Sequence, residues 1–145
     1  MRVAICAVLF AGLAGCAGST GLARCDTGDP TDQVCARLGE PFEVRVGQTA
    51  YVADTRLSVR VDGVPEDSRC PRDVQCVWAG NARVALDLRN GEDTDTASVN
   101  STLEPRAVTR WEYRIELVEV QPQPIAGQSI TQSVYRTRLL VTRVS

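Results

Sequence analysis

Apolar and polar residues alternate along most of the chain beyond residue 40, and this alternation predicts β-strands. The longest regular run follows Cys76, where apolar residues occupy even positions up to Leu88. Gly80 and Asn81 interrupt the run and leave two interpretations of Trp78 open. Parity places the indole ring in the core, whereas a bulge at Gly80 turns it outward. We expect the core position, as in sandwich domains where a Trp packs beside a disulfide.

Shorter alternating runs predict the remaining strands, which are 42–46, 51–52, 57–61, 96–103, 111–120 and 135–141. The polar run 96–103 is typical of an edge strand. The apolar parity changes at Val118, which indicates either a bulge or a strand that changes sheets. Pro122 ends that strand because proline lacks an amide donor.

Three turns are predicted between these strands, and the first is expected at Gly47 and Gln48. Asp62 and Gly63 are expected to open a turn into the segment that holds Cys70 and Cys76. Asn90 and Gly91 form a strong turn signal, and the acidic residues after them indicate a loop longer than a two-residue hairpin.

About seven or eight short strands in residues 40–145 predict a single all-β domain, an antiparallel β-sandwich of the immunoglobulin-like type. A small β-barrel is the alternative. One short helix is expected at 29–39, before the first of these strands, because Asp29 suits the N-cap, Pro30 the first helical position and Gly39 the position after the helix.

The first residues differ in character from the rest. Residues 1–15 combine Arg2 with an apolar stretch that is too short to span a bilayer, which is typical of a signal peptide. Leu13-Ala-Gly-Cys16 looks like a bacterial lipobox, in which the peptidase cuts before Cys16 and acyl chains are attached to that residue. We therefore expect a lipid anchor at Cys16, followed by a flexible tether over 16–28.

Composition excludes several chemistries. All 16 basic residues are Arg and there is no His, so Ser-His, Cys-His and Ser-Lys catalytic pairs and imidazole metal ligands are excluded. The net charge of −2 gives no indication of nucleic-acid binding. We expect no metal, no cofactor and no enzymatic activity.

Carboxylates are the remaining candidates for chemistry. Glu66, Asp67 and Asp73 crowd the cysteine segment, but an active pair for glycoside hydrolysis is disfavoured relative to a solvated, ion-paired surface. The acidic residues at 92–95 are interpreted as a solvated turn rather than a calcium loop, because they lack the spacing of a known cage.

The segments Ser68-Arg-Cys-Pro71 and Cys76-Val-Trp-Ala-Gly80, followed by an alternating strand, resemble a family of uncharacterised bacterial secreted proteins and lipoproteins. The resemblance covers Pro41 to Val144 and implies a small all-β domain, with no activity attached. Four cysteines allow three pairings. Because the motif carries its own two cysteines, the resemblance implies the pairs Cys70–Cys76 and Cys25–Cys35.

The cysteine segment is also the candidate site. A closed, rigid loop reduces the ordering cost of binding, so we consider it a recognition loop formed by Pro71, Arg72, Asp73, Val74, Gln75 and Trp78. The function expected first is a non-enzymatic cell-envelope lipoprotein that binds a protein or glycan partner. It is expected at the outer membrane if the host is Gram-negative. A protease inhibitor is the alternative, and a carbohydrate-active enzyme is a more remote one.

Overall fold

The computed structural model describes residues 33–145, which form nine β-strands in two sheets and one 3₁₀ turn at Gln132–Val134. No α-helix occurs in this range, and so these residues contain no helix that is long and apolar enough to cross a membrane. The strands are β1 (Gln33–Ala36), β2 (Phe42–Arg45), β3 (Thr49–Val52), β4 (Leu57–Asp67), β5 (Ala82–Asn90), β6 (Asp93–Asn100), β7 (Ala107–Arg110), β8 (Tyr113–Gln121) and β9 (Arg136–Arg143).

The larger sheet has the order β1-β3-β4-β5-β6, and the smaller one has the order β2-β9-β8-β7. All neighbours are antiparallel except β1 and β3, which are parallel. The strands β3 to β6 follow one another in sequence and in space, and so do β7 to β9. An immunoglobulin constant-type domain instead places its fifth strand between its second and fourth. The all-β prediction is therefore confirmed, but its immunoglobulin-like part is not.

One hydrophobic cluster is shared by both sheets. Val59, Val84 and Leu88 of the larger sheet and Ile115 and Leu139 of the smaller one are fully buried members of it. The polar residues next to them in the sequence face outward, because successive side chains of a strand point to opposite faces of the sheet.

The strand pattern agrees with the sequence in several details. A register shift separates Leu117 from Glu119 in the pairing of β8 with β9, so the predicted bulge at Val118 is confirmed. Strand β8 ends at Gln121, directly before Pro122. Strand β6 lies at the edge of the larger sheet, as its polar sequence predicted.

The prediction of an N-terminal helix is wrong for its described part. Gln33–Ala36 forms strand β1 along β3, and a turn follows at 37–39. The isolated helix would have been only about two turns long and unstable on its own, whereas the free edge of β3 pairs with all four residues of β1. Residues 29–32 of the predicted helix, the predicted signal peptide at 1–15, Cys16, the tether at 16–28 and Cys25 lie outside the described residues.

The predicted turn at Gly47 and Gln48 is present, but the other two predicted turns differ from the structure. Asn90 pairs directly with Asp93, so the β5–β6 connection is a two-residue hairpin with Gly91 at a φ of 67° rather than a longer loop. Gly63 does not end its strand. Strand β4 continues to Asp67 through register shifts around Gly63, and the Gln132 side chain bonds both the amide and the carbonyl of Val64.

Candidate functional site

Three connections lie together at one end of the two sheets. The cysteine loop (68–81) joins β4 to β5, the second loop (101–106) joins β6 to β7, and the third loop (122–131) leads from β8 towards β9. We call these three segments the loop platform. Hydrogen bonds hold the three loops against one another and against the strand ends, as the following contacts show.

Cys70 and Cys76 form a disulfide with a Cα–Cα distance of 5.9 Å, as predicted. In the chain-entropy model, a disulfide that closes a ring of this length stabilises the folded state by about 2 kcal/mol. Cys35 is also disulfide-bonded, and Cys25 lies outside the described residues. The predicted pairing of Cys25 with Cys35 therefore remains a prediction.

Arg69 fastens the start of the cysteine loop to the core. Its guanidinium donates two hydrogen bonds to the Asp67 carboxylate, at 2.6 and 2.8 Å, and two more to the carbonyls of Val120 and Pro122. Both charged side chains are nearly buried, and Tyr135 donates its hydroxyl to Asp67 at 2.9 Å. One arginine thus connects β4, β8 and the third loop.

The surroundings of this ion pair shift two pKa values. Burial by itself raises the pKa of the Asp67 carboxyl, but the hydrogen bonds from Arg69 and Tyr135 outweigh it and hold that pKa below its ordinary value of 3.8. Burial and the hydrogen bond to Asp67 raise the pKa of the Tyr135 hydroxyl to about 12. Asp67 is therefore a charged structural group at neutral pH and not a proton donor.

Asn81 fastens the end of the cysteine loop to the second loop. Its side-chain oxygen accepts from the backbone amides of Thr102 and Leu103, at 3.2 and 3.4 Å, while its amide group donates to Asn100 at 2.9 Å. The hydroxyl of Thr102 also bonds the carbonyl of Gly80. Gly80 has a φ of 69°, and a Cβ there would lie 1.8 Å from the carbonyl oxygen of Ser68, so only glycine fits.

The third loop contacts the ring of the disulfide. The Arg72 amide donates to the Pro124 carbonyl at 3.0 Å, and the Ala126 amide donates to the Asp73 carboxylate at 2.9 Å. Pro71 is half-buried, whereas Arg72, Asp73, Val74 and Gln75 are exposed. These five predicted recognition residues therefore lie on a loop that is held from both sides.

The prediction that Trp78 lies in the core is wrong. Its side chain is 83% exposed, and that of Val77 is 92% exposed. Strand β5 begins only at Ala82, and the chain turns at Gly80, so the parity counted back from β5 does not extend to Trp78. The outward alternative for Trp78 is the one observed.

Other exposed apolar residues belong to the same region. Val74 and Leu103 lie on the platform loops, and Val118 lies on the neighbouring strand β8. Sequence reasoning missed Leu103 and Val118 as surface residues of this site. Two signals pointed to them: Leu103 is an isolated apolar residue in a polar stretch, and Val118 breaks the alternation of β8.

A cavity of about 240 Å³ opens between the platform loops. Ala79, Val118 and Pro124 contribute apolar walls, and Glu119 and Gln123 contribute polar ones. Ala79 directly follows Trp78 in the chain. The exposed Trp78 is therefore the chain neighbour of a residue that lines the recess.

Two further acidic candidates have structural partners. Glu66 forms an ion pair with Arg83 at 2.6 Å, and Asp95 forms one with Arg110 at 2.5 Å. Within residues 33–145, no group of three or more His, Cys, Asp or Glu side chains is arranged to hold a metal ion. No protein-family model, curated protein or solved structure matches this chain.

Proposed function

We propose that this protein is a non-enzymatic, lipid-anchored protein of the bacterial cell envelope, with a two-sheet sandwich domain that binds a macromolecular partner through its loop platform. The observation that carries the proposal is the exposure of Trp78 on a loop that is fastened on both sides. Large exposed aromatic side chains are enriched among the residues that dominate binding energy in protein interfaces.

Rigidity supports the proposal. The disulfide, Arg69 and Asn81 hold the loop in one arrangement before any partner arrives. Folding has therefore already ordered this surface before a partner binds. Each side chain that became immobilised only on binding would cost about 0.5–1.5 kcal/mol of binding free energy. A loop needed only as a connection between β4 and β5 would not require an exposed Trp at its tip.

The composition of the tip agrees with a protein-binding surface. Residues 74–79 are all exposed, and none of them carries a charge. Interface centres are depleted in charged residues and enriched in aromatic ones, with polar groups at the rim. Arg72 and Glu104 are exposed charged residues on the platform beyond this tip.

Photo-crosslinking in the native host tests the binding proposal. A photo-crosslinking amino acid in place of Gln75 is expected to give a discrete adduct in intact membranes. The same amino acid in place of Glu92, on the hairpin at the far end of β5, is expected to give none. Trp78→Ala in the Gln75-labelled protein should abolish the adduct. Absence of an adduct from Gln75, or equal adducts from both sites, would contradict the proposed platform.

Membrane fractionation tests the anchor separately. Cys16→Ser is expected to move the protein from the membrane fraction to the soluble fraction, because acyl chains contribute about 0.8 kcal/mol of membrane affinity for each buried CH₂. A mature native chain whose intact mass carries no acyl groups would refute the anchor and leave the platform proposal standing.

A further inference from the structure

We propose that the loop platform is self-complementary and that its partner is a second copy of this chain. In a two-fold dimer, Trp78 of each copy enters the cavity beside Ala79 of the other copy. This inference rests on the proposed binding role of the platform and names its partner.

The ring and the recess lie close enough together for reciprocal contacts. Ala79 lines the cavity and follows Trp78, and consecutive Cα atoms are about 3.8 Å apart. In a two-fold interface the same patch meets itself, so a protruding group needs a matching recess on the same patch. Trp78, 83% exposed, is not folded over its own recess and remains available to a partner.

The size of the cavity suits a side chain. Its volume of about 240 Å³ lies below the range of roughly 300–1,000 Å³ that is usual for small-molecule sites. Ala79, Val118 and Pro124 form apolar walls around it. An aromatic side chain buries its apolar body against such walls and leaves the indole N–H at the polar side, where Glu119 provides an acceptor.

The charges at the rim favour a second copy. Arg72 and Arg106 are exposed cations on the platform, while Glu104 and Glu119 are exposed anions on or beside it. A rim of one sign would repel an identical rim, whereas a rim of mixed sign can pair with itself across a two-fold axis. The carboxylates also disfavour an anionic lipid surface, which attracts basic segments.

The polar side chains that line the cavity are partly committed to protein partners. Arg69, Ser101 and Thr102 line the cavity, but their side chains already hydrogen-bond to protein groups. Sugar hydroxyls require several available donors and acceptors at the site. Residues 74–79 around Trp78 carry no charge and include the exposed Val74 and Val77, an apolar surface that an identical surface can cover.

Sedimentation velocity of the full chain carrying Cys16→Ser, exported so that its cysteines oxidise, tests the proposal between about 1 µM and 1 mM protein. A concentration-dependent dimer is expected.

Two variants test the contact itself. Trp78→Ala removes the ring, and Val118→Arg fills the recess. Each is expected to weaken the dimer at least about 30-fold, as for an interface hot spot. Val77→Ala and Val144→Ala remove the same methyl groups at opposite ends of the domain, and only the first should weaken the dimer.

A mixture of two variants tests the reciprocal contact. Trp78→Ala keeps its recess and Val118→Arg keeps its ring, so a mixed dimer retains one of the two contacts. The mixture is therefore expected to associate more strongly than either variant alone. Far-UV circular dichroism and mapping of the Cys70–Cys76 disulfide establish that both variants are folded.

Three results would overturn the dimer. They are a wild-type chain that stays monomeric throughout the concentration range, a dimer that neither variant weakens, and a mixture no more associated than its components. If the dimer fails while Gln75 still crosslinks in membranes to a different protein, a glycan or a lipid, the binding role of the platform survives with another partner. If Gln75 gives no adduct, the binding role itself fails.

Discussion

Two neighbouring carboxylates on β4 allow a test of how burial changes the contribution of an ion pair to the free energy of unfolding. Asp67 accepts a hydrogen bond from Arg69 at 2.6 Å, and Glu66 accepts one from Arg83 at the same distance. The side chains of the first pair are 9% and 12% exposed, and those of the second are 65% and 39% exposed. Asp67→Asn and Glu66→Gln are thus matched changes that replace one carboxylate by an amide of the same shape.

The two losses are expected to differ several-fold. Asp67→Asn leaves the guanidinium of Arg69 nearly buried without its counter-charge, and breaking one side of a buried pair typically costs about 3–5 kcal/mol. Glu66→Gln leaves Arg83 partly exposed, and exposed pairs contribute about 0–1 kcal/mol because water screens them. A domain possesses only about 5–15 kcal/mol in total, so the first change removes a large share of it.

The assay is chemical denaturation at pH 7, followed by the same measurement at decreasing pH. Comparable slopes against denaturant are required before the free energies are compared. The pKa of Asp67 is lowered in the folded state, so its contribution to stability is present above the unfolded value of 3.8 and is lost as the pH falls through the folded value. The difference between wild type and Asp67→Asn should therefore shrink in acid.

Two results would refute the reasoning. Equal losses for Asp67→Asn and Glu66→Gln would show that burial does not determine the contribution of the pair. A difference between wild type and Asp67→Asn that stays constant down to strongly acidic pH would show that the charge of Asp67 is not what Arg69 requires.

Three further predictions follow from the platform and its anchors. Trp78→Ala should change the free energy of unfolding by less than about 0.5 kcal/mol, whereas Leu117→Ala should cost about 2–5 kcal/mol; equal losses in denaturant melts would place the indole in the core. Asn81→Ala should cost about 1–3 kcal/mol and speed hydrogen exchange of the Thr102 amide, and unchanged exchange would contradict its anchoring role. The pKa of Tyr135 is raised from 10.0 to about 12, so its contribution to the free energy of unfolding is full below pH 10 and is lost as the pH rises towards 12. Tyr135→Phe should therefore reduce the fall in stability that is measured between these pH values. An unchanged dependence of stability on pH would contradict this prediction.

The strands that form the core were predictable because a half-buried strand needs a period of two. Val84, Leu86 and Leu88 occupy every second position of β5, and all three are buried. The bulge at Val118 was predictable for the same reason, since an extra residue inverts the parity of everything after it. The disulfide of Cys70 with Cys76 was also expected, through the family resemblance.

The order of strands was not predictable from these patterns. Alternation shows that a segment lies in a sheet, but it does not identify the neighbouring strand. A helix was predicted from the local capping signals at Pro30 and Gly39, but the structure shows β1 paired with β3 instead. Contacts with the edge of a sheet outweigh such weak local preferences.

The sequence by itself determined which residues face inward along each strand, because side-chain direction follows from chain position once a strand is assumed. Only the tertiary structure decided where the strands begin, and so turned Trp78 outward at Gly80. It also decided the platform. Arg69, Asn81, Thr102 and Pro124 belong to three different loops, and the hydrogen bonds between these loops exist only because the two sheets bring them to the same end of the domain.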